Sequence, residues 1–230
     1  MSIIPNLLLA HFIGDYLLQT NWLAARKGQS REGLLIHTGF VLAMSVVAVA
    51  PYVGTLWPVL LVLFVVHTAQ DAFKIWVQPR LDVHLAWTYF ADQAGHIALI
   101  LAIGWWVGDA VVPGPFMQFS MAFCAALIIV TRAYEVSVWA NWFSMIVYVQ
   151  RWQTWGYAER VLMLVLAMLG PLGAGLAWGV ALPRAVVAWQ RGAPLWAQPA
   201  HMIEWLAGVL LAIALGYGWL HPLWRALAGV

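Results

Sequence analysis

The sequence predicts an all-α fold, a polytopic transmembrane helix bundle with about seven spans plus one interfacial helix. Three observations predict it. Of 230 residues, 64% are hydrophobic and only 9% are charged, against roughly 25% charged in a soluble domain. Mean hydropathy is +0.83. The apolar residues gather into runs long enough to cross a hydrocarbon core of ~30 Å at ~1.5 Å per residue. So few charges cannot clothe a water-soluble domain of this length. A net charge of +2 with no basic cluster gives no support to a nucleic-acid partner, and none is expected. A single cysteine, Cys124, excludes an internal disulfide framework.

The elements follow in order. The first run, residues 3–23, precedes the first basic residue, Arg26. That is the reverse of a cleavable signal peptide, and it fits a first span whose N-terminus lies outside. Runs at 34–50, 57–77, 86–107, 116–133, 158–181 and 201–220 supply the other spans. Pro51 and Pro58 flank the second loop, Pro113-Gly114-Pro115 precedes the fifth span, and Pro194 and Pro199 precede the seventh. Gly170-Pro171 inside the sixth predicts a kink. Residues 135–152 differ. There Ser137, Asn141, Ser144, Tyr148 and Arg151 recur at helical spacing among bulky apolar neighbours, the pattern of an interfacial helix.

Charge then sets orientation. Arg26, Lys27, Arg31, Lys74, Arg80, Arg132, Arg151, Arg160 and Arg225 fall on one side, and Arg184 and Arg191 on the other. Nine against two places the N-terminus outside and the C-terminus in the cytoplasm. Sixteen tryptophans suit an interfacial belt. The chain reads as one membrane domain, 1–230, with a polar-site half at 1–107 and C-terminal helices over 108–230.

The informative residues are those that lipid would reject. Span one carries His11, Asp15 and Gln19, and span two carries His37. Span three carries His67, Asp71 and Lys74, and span four carries Asp92, Gln93 and His96. Three helices thus each hold a His and an Asp four residues apart, on one face, with Cβ atoms ~5–6 Å apart. Counted from the cytoplasmic span ends, the three aspartates fall at one level ~9–12 Å inside and His11, His67 and His96 ~6 Å above them. His37 and Lys74 fall nearer the mouth.

Each such charge costs ~2.5–3.5 kcal/mol near a helix centre, so the four must face one another inside the bundle. Three carboxylates and one ammonium sum to −2 with neutral imidazoles. That makes a cage for one or two divalent cations, with His11, Asp15, His67, Asp71, Asp92 and His96 as ligands and Zn²⁺ the best match to the nitrogen and oxygen donors. The same residue types also suit a structural polar network, a proton or ion pathway, or an axial histidine on a tetrapyrrole, though the aspartates argue against the last. Glu159-Arg160 reads as an interfacial ion pair, and His201 and Glu204 read as interface residues. The sequence contains no nucleophile elbow, Walker loop, Rossmann fingerprint or zincin motif.

His11-Phe-Ile-Gly14-Asp15-Tyr-Leu-Leu-Gln19, His37, His67-Thr-Ala-Gln-Asp71-Ala-Phe-Lys74, Asp92-Gln93-Ala-Gly-His96 and Gly156-Tyr-Ala-Glu159-Arg160 together resemble a bacterial family of polytopic membrane proteins, domain of unknown function thirty-three oh seven. The resemblance implies a bacterial inner membrane and no particular activity. The residue pattern is also similar in kind to membrane-bound metal-dependent hydrolases. Two readings from different classes follow. In the first, a metal-dependent hydrolase at the cytoplasmic leaflet cleaves an ester, amide or phosphoester of a lipid-like substrate admitted between helices. Asp15 or Asp71 is then the general base, and His37 or Lys74 steadies the developing oxyanion. In the second, the chain is a structural or pigment-associated subunit of a larger membrane complex, with lipids and partner helices against its Trp-rich exterior. A proton or ion transporter is the third reading.

Overall fold

The computed structural model describes residues 3–108, 111, 113–141, 146–192 and 195–229, and all regular structure among them is helical. The chain divides into two compact units, Met1–Ala125 and Ala126–Val230.

In the first unit, α1 (Ile4–Phe12) opens with Pro5 in its first turn and widens into a π-helical stretch, Ile13–Leu18. It stops there, because Gln19 leaves helical geometry at ψ 82° and Thr20 is extended. The expected first span, 3–23, is therefore shortened. Nine α-helical and six π-helical residues fall short of ~30 Å at ~1.5 Å each. The chain restarts as α2 (Asn21–Gln29), whose first turn is capped by the Thr20 hydroxyl accepting from the Leu23 amide at 3.3 Å. Ser30 ends α2 and caps α3 (Arg31–Ala48) by accepting from the Gly33 amide at 3.0 Å.

Helices α4 (Val53–Val77) and α5 (Leu85–Val107) complete the bundle. One end of it is dry. Leu7, Val49, Leu60, Leu63, Ile100 and Ile103 pack together there, and Asn6 Nδ2 donates to the Ala48 carbonyl at 2.8 Å, satisfying a helix-terminal acceptor. The polar residues lie toward the opposite end, where α2 and the 78–84 connection sit.

The second unit takes over within α6 (Pro115–Ile128), which runs through a π-helical stretch, Ile129–Ala133, into α7 (Tyr134–Asn141). Then come α8 (Ile146–Met168), α9 (Pro171–Gln190), α10 (Pro199–Ile213) with its π-helical extension Ala214–Leu220, and α11 (His221–Ala228). Two expectations are redrawn here. The separate helix expected over 135–152 is instead divided. Its start continues the α6 line, its end opens α8, and 142–145 lie outside the described residues.

The kinked span 158–181 is a reversal. Gly170 adopts φ 114° and ψ −166°, a region essentially confined to glycine, and Pro171 starts a new helix. Helices α8 and α9 then run antiparallel, with Trp152 against Ala188 and Glu159 against Arg184. The tally of basic residues that assumed one span at 158–181 no longer applies beyond Gly170.

Among the described residues, six helices are long and apolar enough to cross a membrane: 31–48, 50–80, 86–107, 115–138, 171–190 and 199–228, with Ile4–Leu18 a shorter apolar helix. Only 22–39% of each apolar window is buried. The outward surface is therefore itself apolar, as Trp57, Trp87, Trp105 and Leu172 show by exposing 60% or more of their area. Water does not tolerate so large an apolar exterior. The long apolar helices suggest a membrane protein.

Candidate metal centre

Four helices of the first unit bring the sequence-predicted residues to one place. His11 and Asp15 come from α1 and its π-helical extension, His37 from α3, His67 and Asp71 from α4, and Asp92 and His96 from α5. All four histidines are at most 2% exposed and Asp71 is 1% exposed. Asp71 is the hub. Its Oδ2 lies 3.3 Å from His37 Nε2 and 3.5 Å from His67 Nε2, and its Oδ1 lies 3.0 Å from Lys27 Nζ and 3.7 Å from His96 Nε2. Asp15 Oδ1 stands 3.7 Å from His11 Nδ1 and 3.5 Å from His37 Nε2. Asp92 stands 3.4 Å from His96 Nε2 and bonds Lys74 Nζ at 2.7 Å.

The imidazoles also pack on one another. His67 and His96 stack with centroids 4.1 Å apart, and His11 lies 5.2 Å from His96. Three overlapping sets each place their donor atoms within 4.8 Å of one another: His11–Asp15–His67, His37–His67–Asp71 and Asp71–Asp92–His96.

Local backbone features make this approach possible. A Cβ at Gly14 would stand 2.5 Å from Val41 Cγ2 and 3.2 Å from Val41 Cα, so only glycine lets α1 close on α3 and bring Asp15 to His37. Asp15 lies in the π-helical turn that follows, a widening frequent at functional sites. His37 sits deeper than its sequence position suggested. Helix α3 begins at Arg31 rather than 34, so a mouth position becomes a fully buried one between Asp15 and Asp71. Lys74 does lie at the edge, with 24% of its side chain exposed.

Among the described residues, eight buried side-chain atoms at this centre make no hydrogen bond of good geometry although several stand 3.3–3.7 Å from one another: both nitrogens of His11 and of His37, Nε2 of His67 and of His96, Asp15 Oδ1 and Asp71 Oδ2. One unsatisfied buried group costs ~1–3 kcal/mol. Each imidazole can turn only one ring nitrogen to a given ion, so these atoms offer at most four nitrogens and two carboxylate oxygens to a shared cation, and mixed imidazole and carboxylate donors suit a divalent metal. The buried His/Asp group could hold a metal ion.

A second layer, largely missed in the sequence, fixes these donors. His96 Nδ1 lies 3.0 Å from Gln70 Oε1. A carbonyl oxygen only accepts, so Nδ1–H donates and Nε2 keeps its lone pair for the centre. Gln93 Nε2 donates to Asp15 Oδ2 at 3.2 Å, and Tyr16 donates to Gln93 Oε1 at 2.8 Å while its hydroxyl meets that of Tyr89 at 2.7 Å. Lys27 was legible only as a loop charge, yet it reaches Asp71. Gln70→Ala is expected to lower metal affinity 10–100-fold with helix content unchanged, as loss of an outer-layer partner does. Calorimetric titration against the parent checks it.

The second unit holds a separate buried group. Arg184 Nε lies 3.0 Å from Glu159 Oε2 and its Nη1 lies 3.2 Å from Glu204 Oε2. Arg160 Nη1 lies 3.6 Å from Glu204 Oε1, and its Nε donates to the Val130 carbonyl at 2.5 Å. The Tyr134 hydroxyl donates to the Glu204 backbone carbonyl. All four charged residues are at most 4% exposed. Glu159 and Arg160, expected to pair with each other, instead pair with Arg184 and Glu204, and the two arginines and two glutamates close a buried neutral group.

Residues 3–122 match the family described as protein of unknown function (DUF3307). The match encloses every residue of the His/Asp cluster and ends before Gly156–Arg160. No curated protein and no solved structure matches the chain.

Proposed function

The chain belongs to this family of unknown function, whose matched stretch is the half that holds the cluster, and on that premise we propose that the cluster binds one divalent metal ion in a membrane-embedded metal-dependent hydrolase. The observation that carries the reading is the overlap of three buried donor sets, each with its ligand atoms within 4.8 Å of one another. His67 and Asp71, each shared by two of the three donor sets, form its core.

Charge favours a single ion. Asp15, Asp71 and Asp92 contribute −3, and Lys27 and Lys74, both in ion pairs with them, contribute +2, leaving −1 with neutral imidazoles. Counting Lys74 alone had left −2 and room for two ions. Arg26, Lys27, Arg31, Lys74 and Arg80 gather at the end of the first unit where the cluster lies, which favours the cytoplasmic leaflet.

A divalent ion held by the donors around His67 and Asp71 would supply Lewis acidity and a hydrolytic nucleophile. The chain's own residues do the rest. Asp15, which belongs to one donor set only and is held by Gln93, would stay off the ion and accept a proton as general base. Lys74, at the open edge, offers positive charge to a developing oxyanion. His37, enclosed between two carboxylates, serves as a donor to the ion rather than to substrate.

Metal analysis of the purified protein tests this. Near-stoichiometric Zn, Mn or Fe is expected, with cleavage of an ester, amide or phosphoester lipid that stops on chelation and returns on reloading. No ion retained after loading overturns the metal reading, and turnover that survives chelation overturns the hydrolytic one. The residual −1 favours a second reading, a proton-carrying path, since one proton on an imidazole cancels it. That reading requires a proton flux in liposomes that is lost in Asp15→Asn.

A further inference from the structure

Between α4 and α5 a groove of about 420 Å³ opens on the outside of the bundle. Its shape follows from the sequence. Phe73 and Val77, one turn apart on α4, form a ridge, while Ala91 and Gly95, one turn apart on α5, present almost no side chain opposite it. Phe73 is 61% exposed, and Trp76 beside it 56%, so the groove is continuous with the apolar exterior. Lys74 and Asp92, bonded to each other at 2.7 Å, are its charged groups. Gln70 also lines it, with Nε2 3.1 Å from where a Gly95 Cβ would stand and Oε1 on His96. The groove therefore joins the apolar exterior to the metal centre through a single polar wall. Its volume lies within the ~300–1,000 Å³ of small-molecule sites.

We propose that this groove seats an acyl chain of an anionic phospholipid, with the phosphate against Lys74, and so delivers the substrate of the hydrolase laterally from the membrane. The proposal rests on the metal reading for its charge. With one divalent ion bound, the cluster would change from −1 to +1; Asp92 faces His96 with Oδ1 and holds Lys74 with Oδ2, so Lys74 would keep that bond and offer its other ammonium hydrogens to an anion. A zwitterionic headgroup gains nothing from that balance. The ridge of Phe73 and Val77 facing two small residues fits a flexible hydrocarbon chain, and the depth of Lys74, inside the last turn of α4, suits a phosphate at the boundary between headgroups and chains.

The test uses the full chain loaded with Zn²⁺ and offered equimolar phosphatidylglycerol and phosphatidylcholine, with retained lipid read by native mass spectrometry and metal content read on the same samples. The parent is expected to retain phosphatidylglycerol over phosphatidylcholine by about fivefold, the worth of one basic side chain against an anionic lipid. Ala91→Phe fills the groove from an exposed position and is expected to lose the lipid while keeping its metal. Lys74→Gln is expected to keep a lipid and lose the preference. Equal retention of both lipids by the metal-loaded parent overturns the proposal, as does Ala91→Phe retaining lipid like the parent. Displacement of the lipid by millimolar inorganic phosphate assigns recognition to phosphate alone and also overturns it. A parent that holds no metal instead marks failure of the underlying reading, and the metal measurement separates the two cases.

Discussion

Asp71→Asn is expected to abolish stoichiometric metal binding. The substitution keeps volume and shape and removes the one carboxylate that lies within 3.7 Å of Lys27, His37, His67 and His96 together. It also takes the cluster from −1 to neutral, so the centre loses a donor and its attraction for a cation at once. The loss should exceed the ~10–100-fold typical of an outer-layer residue. Folding should change little, because Lys27 keeps 12% of its side chain exposed and can turn to solvent when its partner goes. Metal content and thermal unfolding of the same preparation check both halves. Asp92→Asn supplies the contrast. Asp92 stands at the edge, paired with Lys74, and its loss should weaken binding without ending it. Equal metal content in Asp71→Asn and the parent would overturn the assignment of Asp71 as the hub.

Arg184→Leu is expected to produce the largest loss of stability in the second unit. Arg184 bridges Glu159 and Glu204 at 3.0 and 3.2 Å, and its removal leaves two buried carboxylates with one arginine. Breaking a buried pair on one side costs ~3–5 kcal/mol, whereas replacing both partners by apolar groups is often near neutral. Arg184→Leu combined with Glu159→Leu restores the balance, since Arg160 and Glu204 remain as a pair 3.6 Å apart. The double variant should therefore unfold at a temperature closer to the parent than the single variant does. A double variant no more stable than the single one would show that packing, not charge, governs this site. Metal binding by the first unit should be untouched in both.

The His/Asp cluster was legible because the membrane leaves charged residues few choices. Within apolar runs, a His and an Asp at i and i+4 on each of three helices must share a face, and facing one another is the only inexpensive way to bury them. What periodicity cannot report is how the chain folds back at a helix end. Lys27 belongs to α2, a helix the first span was expected to run into, and its reach to Asp71 depends on the turn at Gln19–Thr20. Glu159 and Arg160 looked interfacial because a span boundary was placed at 158. With α8 starting at Ile146, they fall in mid-helix and need buried partners. At Gly170-Pro171 the sequence was ambiguous in principle. A bend and a full reversal call for the same two residues, and only the packing of α9 along α8 decides between them.

Lys27 contributes charge to the cluster from α2, a helix that lies close on α3, where a Cβ at Gly33 would stand 2.5 Å from the Arg26 carbonyl. The donor residues, by contrast, are rooted in the walls of the bundle. Peeling α2 away would leave every one of those donors where it stands and turn the centre one unit more negative. One countercharge of the centre thus sits on a different helix from every donor, so the negative charge there depends on where Lys27 stands as well as on the aspartates.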